Sequence, residues 1–177
     1  MMTHLLEHFR NCPHCGSPHF EINNEKSKIC SDCGFCFYLN PSAAVAAFIL
    51  SEKGELLATV RAKEPQKGTL DLPGGFVDCR ETAEQALVRE IKEELNLDAE
   101  NCCYRFSLPN MYRYSEMDIP TLDMFFTCSV SDFSALLAAD DVSEVRFIPL
   151  DKLNPAEFGL DSVRKAVAIF AKSVNSR

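Results

Sequence analysis

Residues 74–97, GGFVDCRETAEQALVREIKEELNL, constrain this chain more than any other segment. Two glycines open it, so backbone there can approach another group closely. A helix must follow. Thr82 with Gln85 three residues later forms a capping box. Leu87, Val88, Ile91 and Leu95 predict one apolar face. Glu90, Glu93 and Glu94 stand at i, i+3 and i+4, so their carboxylates share another face. Like charges at that spacing repel by about 0.2–0.5 kcal/mol per pair. A hard cation turns that repulsion into binding, and Mg²⁺ takes oxygen ligands completed by substrate phosphates. A merely solvated acidic face is the competing reading for any run of Glu.

The order Gly75, Glu81, Arg89-Glu90-Ile91, Glu93-Glu94 and Asn96-Leu97 resembles the Nudix box. That signature belongs to hydrolases that cleave a nucleoside diphosphate linked to another group. The resemblance implies an α/β/α sandwich with a mixed sheet and a requirement for Mg²⁺ or Mn²⁺. It also implies roles for single residues. The Gly74 carbonyl, Glu90 and Glu94 are metal ligands, Glu93 is a ligand or general base, and Arg89 pairs with Glu81 to pin loop to helix. Glu144, before Val145-Arg146-Phe147, matches a late-strand glutamate that completes the metal site, with a catalytic role. Asn96 stands where the family has Gly, and Asn tolerates the left-handed conformation of a helix C-cap. Arg80 also stands where relatives often have Gly. Phe76, directly after the glycines, is a stacking platform for a base or a core residue.

The second feature is a pair of knuckles, Cys12-Pro-His-Cys15 and Cys30-Ser-Asp-Cys33, each followed by Gly. Four thiolates so arranged form a tetrahedral S₄ site, which selects Zn²⁺ in a closed, structural role. Disulfides or a redox pair are the alternatives. Residues 1–11 carry no apolar core, which predicts no export signal and a cytoplasmic, reducing location. Cys102, Cys103 and Cys128 read as buried apolar thiols. All four histidines precede residue 20, which disfavours a catalytic Cys/His pair.

A four-cysteine ribbon before a Nudix domain resembles the NADH pyrophosphatase branch. The resemblance makes Glu25 and Tyr38 substrate contacts from the ribbon and implies a homodimer. That branch carries SQPWPFPxS after the box. Here the register reads Ser107, Leu108, Pro109, Asn110, Met111, Tyr112, Arg113, Tyr114, Ser115, expected as a substrate-binding loop from Leu108 to Ser115. The changes at Leu108 and Asn110 alter its shape. Hydrolysis of NADH or NAD to AMP is therefore joined by three alternatives: an ADP-ribose or ADP-sugar pyrophosphatase, an enzyme removing NAD caps from RNA, and a nucleotide-sensing module without activity.

The 177 residues allow a ribbon over 1–40 and a larger α/β domain over 41–177. The net charge of −8 disfavours an extended nucleic-acid footprint but not a small nucleotide held by metal. No apolar run is long enough for a membrane span. Strands are expected at 43–50 and 55–61, joined as a hairpin through 51–54, then at 102–108, 122–130 and 142–150. An amphipathic helix is expected at 161–172.

Overall fold

The computed structural model describes residues 4–175. Three short strands, β1 (Phe20–Asn24), β2 (Ser27–Cys30) and β3 (Cys36–Tyr38), form an antiparallel sheet. Its core is small: Cys12, Phe20 and Cys30 are buried, with Phe9, Phe35 and Phe37 packed around them. The Lys28 stem lies in this core, its ammonium 5.0 Å from the Phe20 ring centroid and donating to the Phe9 carbonyl at 2.6 Å. So few apolar groups give a ribbon of this size little stability without a metal.

The rest folds as helix, sheets, helix. Strands β4 (Ser42–Ile49), β8 (Met117–Ser129) and β7 (Glu100–Tyr114) form one mixed sheet in the order β4-β8-β7. β4 pairs parallel with β8, and β8 pairs antiparallel with β7. Strands β5 (Glu55–Arg61), β6 (Leu70–Asp71) and β9 (Val142–Pro149) form a second, antiparallel sheet in the order β6-β5-β9.

Period-2 alternation sends each strand's side chains to two cores. Val45, Ala47 and Ile49 of β4 pack with Leu57 and Phe126 beneath α1 (Ala83–Leu95), against Ala86, Leu87, Ile91 and Leu95. Ala46 and Phe48 face the other way, with Leu56, Ala58 and Phe125, against Val163, Ala166 and Val167 of α2 (Asp161–Asn175). Phe48 stacks on Phe170 with ring centroids 4.2 Å apart and planes 6° from parallel. The expected three layers are present, with the middle layer divided into two three-stranded sheets.

Four expectations are corrected. Residues 51–54 do form a turn, but β4 and β5 lie in different sheets, joined by one isolated bridge between Leu50 and Leu56. Alternation marked both strands without marking their partners, and β4 instead takes β8 as a parallel neighbour. The stretch from Leu108 to Tyr114 is strand, not loop: β7 runs to Tyr114 and returns through Ser115-Glu116 into β8. Both turn residues have positive φ, 47° and 64°, the conformation of a tight two-residue hairpin. Val88 is 41% exposed, so the apolar face of α1 is narrower than its sequence suggested. Cys103 is exposed, while Cys102 and Cys128 meet under α1.

The helix caps match their residues. Thr82 and Gln85 exchange both capping-box hydrogen bonds, and Asn96 closes α1 in the left-handed conformation with φ 53°. Arg80 is left-handed too, φ 77°, which is why glycine suits that position. Among the described residues no helix is long and apolar enough to cross a membrane.

Candidate functional site

The loop before α1 and the helix itself are clamped by one side chain. Arg89 donates to both Glu81 carboxylate oxygens, at 2.6 and 3.1 Å, and to the Phe76 carbonyl at 3.1 Å. Glu81 in turn accepts from the Asp78 amide at 2.6 Å. The remaining Arg89 nitrogen reaches Glu90 at 2.8 Å and Glu93 at 3.1 Å. The expected Arg89–Glu81 pair is thus the hub of a cluster that also holds the Phe76 carbonyl, the Asp78 amide, Glu90 and Glu93, and it fixes loop, helix start and two box carboxylates.

Gly74 is sterically required, and Gly75 leaves room for a box carboxylate. A Cβ at Gly74, whose φ is 147°, would fall on the Val45 carbonyl oxygen. A Cβ at Gly75 would stand 2.6 Å from the Glu90 carboxyl. The Pro73 and Gly75 carbonyls both accept from β4 amides, of Ala47 and Val45, each at 2.9 Å. This leaves the loop stitched along β4 with Gly74 facing the cleft.

That cleft has a volume of about 340 Å³ and runs between the box and β7, β8 and β5. At one end lie Gly74, Glu90, Glu93 and Glu94. Glu94 is 7% exposed and accepts one side-chain hydrogen bond, from the Gly74 amide at 3.0 Å. Burial, opposed by that amide and reinforced by the charges of Glu90, Asp71 and Asp141, pushes its pKa up to about 8. Burial likewise raises Glu90, against the pull of Arg89. Glu93 sits at the exposed rim. A nearly buried carboxylate that pairs with no cation among the described residues, beside a second half-buried one, is a donor set that suits a hard divalent ion.

At the mouth, Phe76 is 41% exposed and meets Tyr112 edge-on, ring centroids 5.4 Å apart. Core packing for Phe76 is therefore excluded. The Tyr112 hydroxyl accepts from Arg61 at 3.2 Å, and Arg61 pairs with Asp71 at 2.6 Å. Beyond the irregularity between Tyr104 and Phe106, even-numbered residues of β7 share one face: Phe106 and Leu108 pack on the α2 core, then Asn110 and Tyr112 line the cleft. Leu108 is thus a core residue. Pro109, Met111 and Arg113 border an adjoining open groove of about 550 Å³ that also touches Asn110. Tyr114 and Ser115 lie at the hairpin end, outside both cavities.

Glu144 stands apart. Val145 and Phe147 point into the α1 core, so Glu144 projects from the opposite face of β9. It accepts two bonds from Arg146, at 2.8 and 2.9 Å, and does not line the cleft. Glu25, in the β1–β2 turn, and Tyr38, ending β3, are exposed on the ribbon and do not line it either. Sequence reasoning missed Asp140 and Asp141, which line the acidic end and both pair with Lys63. It also missed Thr59, Arg61, Asp71, Thr121 and Asp123 on the inner wall. Asp140-Asp141 directly before β9 was a visible signal. The inner-wall groups alternate with core residues and had none.

In the ribbon the four knuckle sulfurs all lie within 4.8 Å of one another, Cys12 to Cys33 at 3.7 Å and Cys15 to Cys30 at 3.6 Å. Zinc–thiolate bonds of about 2.3 Å give a tetrahedron with edges of about 3.8 Å. The cluster fits a closed zinc site, and all four thiols are free of disulfides.

The NUDIX domain family model matches residues 40–167. An ADP-ribose pyrophosphatase from Methanocaldococcus jannaschii is 35% identical over 130 residues, 72% of this chain and 73% of that one. An NAD-capped RNA hydrolase, NudC, from Pseudomonas entomophila is 24% identical over 168 residues, 95% of this chain. The chain spans 58% of that relative's length. Among solved structures, a NUDIX hydrolase from Nitrosomonas europaea superposes with a TM-score of 0.72 at 23% identity, covering 93% of this chain and 91% of that one. The NUDIX domain of Shewanella oneidensis NrtR, solved with ADP ribose, gives 0.62 at 20% identity over 77% of this chain and 90% of that one. These two likenesses concern the fold.

Glu94 gives a pH test. Its folded pKa, about 8, lies above the ordinary value of 4.5, so between these values the folded state holds a proton that the unfolded chain has lost. Stability therefore falls as pH rises through this window. In buffer free of Mg²⁺ and Mn²⁺, Glu94→Gln should gain in Tm relative to wild type between pH 5 and pH 8. A Tm difference that stays constant with pH contradicts this placement of Glu94.

Proposed function

This chain belongs to the Nudix hydrolase family, and on that premise we propose that it hydrolyses the diphosphate of an ADP-linked compound, releasing AMP. The observation that carries the reading is that buried Glu94 and half-buried Glu90 line the same cleft as two aromatic rings in contact, Phe76 and Tyr112. ADP-ribose is the first substrate we assign, supported by the likeness to an ADP-ribose pyrophosphatase over nearly three quarters of both chains. The ribbon and the 95% coverage against the NudC relative favour a second reading, in which NADH, NAD or an NAD-capped RNA end is cleaved by the same chemistry.

Glu90, Glu94 and the Gly74 carbonyl would hold Mg²⁺ or Mn²⁺. When bound, such an ion neutralises the diphosphate and activates water for attack at phosphorus. The chain's own groups set the geometry. Arg89 holds Glu90 and Glu93 in place, and the Gly74 amide holds Glu94. Glu93, half-exposed at the rim, is positioned to take a proton from incoming water as general base. Asp140 and Asp141 line the same cleft and add negative charge that acts on Glu90 and Glu94. Glu144 would have to leave Arg146 to join this set. Phe76 and Tyr112 offer flat surfaces to a base. Glu25 and Tyr38 lie away from the cleft, so contact with substrate requires a second copy of the chain, and a homodimer belongs to this proposal. So do a cytoplasmic location and zinc in the ribbon.

Two measurements check the reading. With Mg²⁺ or Mn²⁺, a panel of ADP-ribose, ADP-sugars, NADH, NAD and NAD-capped RNA should yield AMP, with ADP-ribose turned over fastest. Glu90→Gln should lower kcat by about 10²-fold or more while the fold persists. AMP release from none of these compounds, or a Glu90→Gln variant as active as wild type, would remove it. Separately, elemental analysis should find about one zinc per chain. Its removal should unfold the ribbon before the larger domain. A disulfide among Cys12, Cys15, Cys30 and Cys33 in freshly prepared protein would contradict the zinc assignment.

A further inference from the structure

The inner wall of the cleft carries a second polar centre that the diphosphate chemistry does not use. On β8, Thr121, Asp123 and Phe125 alternate onto one face. Phe125 closes the α2 core, while Thr121 and Asp123 rise from it into the cleft. Asp123 is 8% exposed. It accepts from the Thr121 hydroxyl at 2.6 Å and, through its other oxygen, from the Ser162 hydroxyl in the first turn of α2. Neither partner brings a positive charge. The nearby guanidinium, Arg61, is spent on Asp71, the Pro65 carbonyl and Tyr112. Two buried carboxylates, Asp71 and Asp123, thus share this wall with the Arg61 guanidinium.

A carboxylate has room for about four hydrogen bonds, and Asp123 has two. The remainder suits donors arriving in the cleft. Across the ladder Asn110 is the register partner of Thr121 and lines the same cavity. Its amide makes no side-chain hydrogen bond among the described residues, so it offers both donor and acceptor. A ribose next to a diphosphate presents hydroxyls that match such a wall. A carboxylate that accepts from ribose hydroxyl also repels a phosphate attached there, as acidic residues do in dinucleotide sites. The repulsion is large because the wall is screened from water.

We propose that Asp123, with Asn110 beside it, reads the free hydroxyls of the substrate's adenosine ribose and excludes ribose bearing a further phosphate. This rests on the ADP-compound reading above. Ser162 and Thr121 are positioning residues that hold the Asp123 carboxylate toward the cleft.

The test compares ADP-ribose with its 2′-phosphorylated form in wild type, Asp123→Asn and Ser162→Ala. Binding of AMP against adenosine 2′,5′-bisphosphate is measured calorimetrically in parallel. Wild type should favour the unphosphorylated ribose by about 10²-fold in kcat/KM and in affinity. Asp123→Asn should shrink that ratio about tenfold, chiefly through KM. Ser162→Ala should lower Tm and leave most of the ratio, since the carboxylate remains. A ratio unchanged in folded Asp123→Asn, or a wild type that treats both riboses alike, overturns the proposal. If wild type cleaves no ADP compound, the functional reading fails, and the affinity ratio still decides the role of Asp123.

Discussion

A single constraint shapes the molecule: Glu94 is held almost out of water, and among the described residues only the Gly74 amide donates to its carboxylate. An uncompensated buried carboxylate destabilises a fold. Everything near it keeps it there nonetheless. Gly74 must be glycine because β4 backbone fills the space a side chain would need. A side chain at Gly75 would displace the Glu90 carboxyl. Arg89 locks the loop to α1 through Glu81 and the Phe76 carbonyl. The helix is anchored in turn by Leu87, Ile91 and Leu95 in the core below. The apolar packing thus fixes the position of acidic groups that would otherwise separate.

The cleft has two polar ends of different kind. The box end concentrates carboxylates that no basic side chain fully neutralises. The inner end carries Asp71 and Asp123 around Arg61, each oriented by defined partners. Phe76 and Tyr112 stand at the mouth. A diphosphate linked to a ribose and a base is a molecule with the same sequence of chemistries: anionic, hydroxylated, flat. This correspondence is why the site reads as one for nucleotide compounds beyond the box motif alone.

Local signals were legible where spacing carried them. The capping box, the left-handed Asn96, the Arg89–Glu81 pair and the four-sulfur cluster all depend on residues close in sequence or at fixed intervals. What alternation could not reveal was partnership. Residues 43–50 and 55–61 read as a hairpin because they are adjacent, yet β4 pairs with β8, Ser42 opposite Thr121 and Ile49 opposite Cys128. The stretch 108–115 read as a loop because a family motif with several prolines was laid over it. Here the single Pro109 is tolerated in an outer strand of its sheet. The inner wall was illegible for a related reason: Asn110, Asp123 and Asp71 come from three strands and meet only in the fold.

The most direct test of this account is the response of thermal stability to divalent cation at pH 8, where most of the penalty of ionising Glu94 is already present. A cation bound to the folded protein stabilises it by mass action. Mg²⁺ or Mn²⁺ titrated into wild type should raise Tm in a saturable way, and the rise should be mostly lost in Glu94→Gln. A wild-type Tm that does not respond to either ion, or a Glu94→Gln variant that responds as wild type does, would contradict the account.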